Sequence, residues 1–259
     1  MDLKSANVVV TGGGNGIGRA LARRTAAEGA RVVVNDLDAV AAEEVAAEVG
    51  RLAVPGDVSN GEGTGRLVRA ARAKFGEIDL FCANAGVAPP GGVEAPDVAW
   101  AHASWDLNVM ANVHAARALL PAWLERGRGH LLVTVSAAGL LTMLGAAAYS
   151  ATKHAALAFA EWLSITYGDR GITVQALCPQ GVRTAMLERS GAAASLLLQD
   201  EAIEPEQVVD AAMDGLRDGH FLILPHQEVG RYYAARATDP ERWLAGMRKL
   251  QRRIDEVEE

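Results

Sequence analysis

The chain has 259 residues, half of them hydrophobic, a formal net charge of −7 and a pI near 5.4. That length and apolar content fit one α/β-sized domain with a full core. The acidic balance argues against nucleic acid or an anionic membrane surface as a main partner.

No charged-then-apolar leader opens the chain, and no apolar run approaches the length of a membrane span. A soluble, cytoplasmic protein is expected. Cys82 and Cys178 stand far apart in apolar, strand-like runs, so they read as buried thiols in a reducing compartment rather than a disulfide.

Asn7 to Thr11 is a β-branched run, followed at once by Gly12-Gly13-Gly14-Asn15-Gly16-Ile17-Gly18 and a helical stretch from Arg19 to Glu28. Strand, glycine turn and helix together suit a pyrophosphate. The glycines let the backbone approach it, and the helix N-terminus offers free N–H groups and a positive dipole end. The spacing is G-x-x-x-G-x-G, which departs from the commoner G-x-G-x-x-G.

A second strand, Arg31 to Asn35, ends at Asp36, eighteen residues past Gly18. A carboxylate there can accept from adenosine ribose hydroxyls and would repel a 2′-phosphate. Asn15 and Leu37 occupy the places where a cation could rescue that phosphate, so the expected cofactor is NAD.

Ala39 to Val49 reads as a helix and Arg51 to Val54 as a third strand, with Asp57-Val58 at its end. Gly61, Gly63 and Gly65 are poor helix starters, so the next helix is expected to begin late or loosely. Asp79 to Ala83 is a fourth strand closing in Asn84-Ala85-Gly86. Trp100 to Glu125 reads as a long helix, broken near its middle, that carries Asn108.

Gly129 to Val135 is the fifth strand and delivers Ser136 at its end. Thirteen residues later stands Tyr149, with Lys153 four positions on. On a helix those two share a face about one turn apart. An ammonium favours phenolate, so the pair can act as a tuned acid/base, with a serine hydroxyl holding a substrate oxygen. The bland alternative is a half-buried Tyr beside a snorkelling Lys. Ligands of parallel sheets bind outside the carboxyl ends of the strands. The glycine loop, Asp36, Asp57, Asn84 and Ser136 all fall there.

These motifs resemble those of the short-chain dehydrogenase/reductase family over about residues 5–225: Thr11-Gly12-x-x-x-Gly16-x-Gly18, Asp57, Asn84-Ala85-Gly86, Asn108, Ser136 and Tyr149-x-x-x-Lys153. The resemblance implies a single α/β domain of Rossmann type, doubly wound around a parallel sheet of about seven strands. It implies Tyr149 as acid/base and Ser136 orienting the substrate oxygen. Lys153 would bind the nicotinamide ribose and lower the Tyr149 pKa, and Asn108 would hold a relay water. Thr11, Gly12, Asn15, Gly16, Ile17, Gly18, Asp36, Leu37, Asp57, Val58, Asn84, Ala85 and Gly86 would serve the dinucleotide, Asp57 and Val58 beside adenine.

After the sixth strand, Ile172 to Cys178, the run Pro179-Gln180-Gly181-Val182-Arg183-Thr184 has Gln where the family usually has Gly. Pro179, Val182 and Thr184 keep their expected places near the nicotinamide. Gln180 either reaches into the substrate site or sits on the loop surface. Ala111 also replaces a common Gly, with a structural effect only.

Pro205 suits a helix start, and Val208, Val209, Ala212, Met213 and Leu216 give that helix an apolar face. Phe221 to Leu224 is a plausible seventh strand. From His226 to Glu259 a helical extension carries an a/d stripe, Trp243, Met247, Leu250, Ile254 and Val257. The favoured reading packs it on the domain or a partner subunit rather than in a substrate box. His220 and His226 read as structural or surface, and no metal cluster is expected.

The expected activity is hydride transfer between NAD(H) and a secondary alcohol or ketone, in a homodimer or homotetramer. An NAD-binding scaffold without turnover, a polyol or sugar reductase and an acyl-thioester reductase are the alternatives. Three segments should border the substrate: Val87 to Pro90; Leu140 to Ala147, with Leu141, Met143 and Leu144; and Ala185 to Leu198, with Met186, Leu187, Leu196, Leu197 and Leu198. They are almost uncharged, which suits an apolar substrate.

Overall fold

The computed structural model describes residues 1–97, 99–189, 198 and 201–258, with 101–103, 257 and 258 described in backbone only. Of the expected substrate border, Leu196 and Leu197 lie outside the described residues, as does the side chain of Val257.

The β-branched runs form one parallel sheet. Its strands are β1 (Asn7–Thr11), β2 (Arg31–Asn35), β3 (Leu52–Ala53), β4 (Leu80–Ala83), β5 (Gly129–Thr134), β6 (Ile172–Leu177) and β7 (Leu222–Ile223), in the order β3-β2-β1-β4-β5-β6-β7. Val8 pairs with Val32 on one side and Leu80 on the other, and Leu80 with His130. Successive strand residues point to opposite faces. Val8, Val10, Val32 and Val34 therefore join one core, with Leu21 of α1 (Gly16–Ala27), Val45 of α2 (Ala39–Glu48) and Val208 of α7 (Pro205–Asp218). Val9, Val33, Phe81 and Leu131 join the other, under α3 (Gly61–Phe75), α4 (Ala111–Arg126) and α5 (Ala147–Tyr167). Both faces being covered, the strands are apolar throughout, and each fully buried Val or Leu contributes about 1.5–3 kcal/mol.

The expected late start of α3 is overturned. The helix begins at Gly61, because Asn60 caps it by accepting from Gly63 N at 2.9 Å. Gly63 is there for space: a Cβ on it would lie 1.7 Å from the Asp57 carbonyl oxygen. The predicted helix from Trp100 to Glu125 is two windings end to end, a π-helical stretch, Ala99–Met110, running directly into α4. Short α6 (Ala185–Glu188) follows β6, with Thr184 as its N-cap. α7 starts at Pro205 with a capping box between Glu204 and Gln207. Beyond β7 lie α8 (Gln227–Thr238) and α9 (Pro240–Glu258), with Tyr232 and Trp243 in ring contact between them.

The strand order reverses at the β1/β4 pair, so a crevice opens at the carboxyl edge of the sheet there.

Candidate active site

The β1–α1 loop is built to come close to itself. A Cβ on Gly18 would lie 1.9 Å from the Gly12 carbonyl oxygen, so only glycine lets the helix start this near the turn. Asn15 is the N-cap of α1 but gives no side-chain cap, leaving the first N–H groups free for a ligand. Thr11 Oγ accepts from Asn84 N at 3.0 Å and Ala85 N at 3.1 Å. Asn84 Nδ2 donates to Thr11 O and Gly12 O, and its Oδ1 accepts from Thr134 Oγ. Asn84 thus ties the ends of β1, β4 and β5 together.

Asp36 accepts from Gly14 N at 2.9 Å and Asp38 N at 3.1 Å, so it pins the glycine loop as well as facing the crevice. Leu37 beside it is 77% exposed. Asp57 is held by Ser59 N and Ser59 Oγ.

Ser136 has φ +89° and ψ 152°, unusual for a residue with a Cβ, at the point where β5 hands over to the loop before α5. Such strain persists where the surroundings fix it, and here they do. Ser136 N donates to Leu177 O and Ala137 N to Pro179 O, while its Oγ accepts from Ala138 N. Tyr149 and Lys153 lie on one face of α5 as the spacing requires, 8% and 5% exposed. Lys153 Nζ donates to Thr134 O at 2.9 Å and lies 5.6 Å from the Tyr149 ring centroid.

Burial dominates the electrostatics of the pair. Burial raises the Tyr149 phenol pKa, and the Ser136 hydroxyl only partly opposes this by hydrogen bonding. Burial also pushes Lys153 down to about 8. Removing the phenolate from water costs more than the Ser136 hydrogen bond returns.

Asn108 is buried and its carboxamide is engaged. It accepts from Val87 N at 3.0 Å and donates to Val87 O at 2.9 Å and Thr152 Oγ at 3.1 Å. That clamps the turn after β4 to α5, the helix that carries Tyr149 and Lys153.

A cavity of about 520 Å³ fills the crevice. Every predicted site residue lines it except Thr11, Gly18, Asn108 and Leu140. Thr11, Gly18 and Asn108 stand behind the wall and shape it. Leu140 is a correction: the 3₁₀ turn Ala137–Gly139 rotates it into the core, 1% exposed. Leu141 and Met143 face open space instead. Gln180 does reach the cavity, and its Oε1 is buried without a hydrogen-bond partner among the described residues. Its backbone N–H donates to His226 Nδ1 at 3.2 Å, which places the ring proton on Nε2, 3.1 Å from Gly181 O. His226 is structural, as expected, and it fixes the Gln180–Gly181 turn.

Sequence reasoning missed Thr134 and Thr152. Thr134 holds Lys153 through a backbone carbonyl, which leaves no trace in residue type.

A family model described as short chain dehydrogenase matches residues 6–195. The chain is 35% identical over 253 residues to 1-deoxy-11-beta-hydroxypentalenate dehydrogenase of Streptomyces avermitilis, covering 95% of this chain and 93% of that one. It is 36% identical over 194 residues to 2,5-dichloro-2,5-cyclohexadiene-1,4-diol dehydrogenase of Sphingobium indicum, covering 73% and 77%. Among solved structures, a short-chain dehydrogenase/reductase from Burkholderia phymatum in complex with NAD superposes with a TM-score of 0.86 at 28% identity, covering 93% of this chain and 96% of that one.

Proposed function

The chain belongs to the short-chain dehydrogenase family, and from that premise we propose that it is an NAD-dependent oxidoreductase interconverting an apolar secondary alcohol and its ketone. The observation that carries this is one cavity lined by Ser136, Tyr149 and Lys153 together with the glycine loop and Asp36. The two relatives are dehydrogenases named for hydroxylated carbon skeletons, and the solved neighbour holds NAD.

The residues present fit a dinucleotide. The uncapped N-terminus of α1 and the close-packed glycine loop suit its pyrophosphate, and the Asp36 carboxylate suits a ribose with a free 2′-hydroxyl. Gly12, Asn15, Gly16 and Ile17 would hold the phosphates, Asp57 and Val58 the adenine side, and Pro179, Val182 and Thr184 the nicotinamide side. When bound, NAD supplies the hydride acceptor, and NADH the donor.

The chain's own part is proton handling and positioning. The Ser136 and Tyr149 hydroxyls hold the substrate oxygen, and Tyr149 Oη takes its proton during alcohol oxidation and returns one during ketone reduction. The Lys153 ammonium favours the phenolate as it forms. Burial keeps water from the pair. Asn108 supports the Val87 turn and Thr152, and so the register of α5, and by the family resemblance holds a water in the proton relay.

Exposed Trp162 and Ile165 on α5 favour a homo-oligomer, a dimer or tetramer, that covers them. Two free, buried cysteines and no described helix able to cross a membrane favour a cytoplasmic setting.

The test is NADH formation by the purified chain across secondary alcohols of growing apolar bulk, with NADH consumption on the matching ketones. Activity should rise along the series, by up to about 0.8 kcal/mol of transition-state binding per buried methylene. No turnover in either direction, or a preference for polyols of similar size, refutes it.

A further inference from the structure

A second cavity, of about 1020 Å³, lies against the first. The two share Ser136, Met143, Gln180 and Leu198. The larger space therefore begins at the hydroxyl beside Tyr149. Its far side is made by the C-terminal extension, through Tyr232 and Ala235 of α8 and Trp243, Met247 and Leu250 of α9.

We propose that α8 and α9 form the outer wall of the substrate chamber, where Trp243 and Met247 select bulky apolar secondary alcohols. This rests on the alcohol–ketone reading of the site.

Three observations carry the assignment. The first is the state of the α9 stripe. Ile254 is 2% exposed, while Trp243, Met247 and Leu250 are only half-buried. Protein packs the far end of the stripe, and open space faces its first part. Apolar side chains facing such a gap lose their dispersion contacts unless something fills it. An apolar ligand with one oxygen at Ser136 would do so.

The second is how the wall is tied down. His226, immediately before α8, holds Gln180 N and Gly181 O. Arg236 of α8 donates to the Leu140 carbonyl and to His154 Nε2, and His154 Nδ1 donates to Ser150 O at 2.9 Å. The extension is thus pinned to the loops on either side of Ser136 and to the helix that carries Tyr149. Ring contact between Tyr232 and Trp243, 6.3 Å between centroids, joins α9 to α8.

The third is polarity. Glu201, Asp239 and Arg242 also line this cavity and are exposed, so charge gathers at its solvent side. An apolar interior with a charged mouth and a few polar groups at depth is the usual make-up of a small-molecule site.

The experiment compares kcat/KM for isopropanol and for decalol, a fused-ring secondary alcohol, with NAD, in the wild-type chain, Met247→Ala and Trp243→Leu. Binding of decalone is measured alongside by ligand-observed NMR, which needs no turnover, and circular dichroism checks folding. The decalol-to-isopropanol ratio should fall roughly tenfold in each variant, the scale of a lost methylene-sized contact in an apolar pocket. Decalone affinity should fall in parallel. An unchanged ratio, or decalone binding equal in all three proteins, overturns the chamber and leaves the redox reading standing. Decalone binding that weakens in the variants while no alcohol is turned over supports the chamber and refutes the redox reading. If the variants change oligomeric state and lose both alcohols alike, the stripe is a subunit contact and the proposal is wrong.

Discussion

Burial of Lys153 makes stability depend on pH in a calculable way. Its pKa drops from 10.5 to about 8 because the ammonium is taken out of water, with one hydrogen bond, to Thr134 O, in return. Between those values the unfolded chain holds a proton that the folded chain has released, so stability rises with pH across that window. Below about 8 both states are charged and the burial penalty is fully present. At about 1.4 kcal/mol per pH unit, the drop corresponds to roughly 3 kcal/mol. Other buried groups act oppositely at the upper end. Cys82 and Cys178 are pushed up to about 12, and Tyr149 is raised. Each keeps its proton when folded, so each loses stability as pH rises past its unfolded value. The difference between wild type and Lys153→Met cancels those shared contributions. Urea unfolding without added nucleotide, followed from about pH 7 to about pH 10, should show the wild type gaining on Lys153→Met by about 2–3 kcal/mol. Parallel curves for the two proteins would refute the burial argument.

Tyr149→Phe keeps the buried ring and removes the proton-carrying oxygen, so NADH should still bind by fluorescence titration while kcat falls by roughly 10² to 10⁴. Asp36→Ala with Leu37→Arg should shift preference from NAD to NADP in the same titration, and should cost about 1 kcal/mol of stability through the lost bond to Gly14 N. Equal wild-type affinity for both cofactors would undo the role given to Asp36. Gly63→Ala drives a methyl against the Asp57 carbonyl. It should destabilise by about 1–3 kcal/mol, seen as a drop of about 2–4 °C in melting temperature per kcal/mol, and it should weaken dinucleotide binding through Asp57 and Val58.

The sequence by itself determined whatever a local repeat encodes. Valine runs between glycine turns became strands buried on both faces, and the glycine spacing became the β1–α1 loop. The four-residue step from Tyr149 to Lys153 put both on one face of α5, because helix geometry fixes that distance whatever surrounds it. Which residues reached the crevice was legible for the same reason: each followed a strand, and parallel strands end on one edge. Tertiary structure decided what lay opposite. Gly63 read as a helix breaker until the Asp57 carbonyl came within reach of its missing Cβ. Leu140 and Leu141 are the same residue type, and only the turn at Ala137–Gly139 sends one into the core and the other to the cavity. The pKa directions of Tyr149 and Lys153 depend on how much water the fold removes from them. The stripe on α9 showed a helix with an apolar side, and its period was silent on whether that side met protein or space. A repeat specifies direction from the helix axis; the facing surface is assembled from residues distant in the chain, so only the folded structure could supply it.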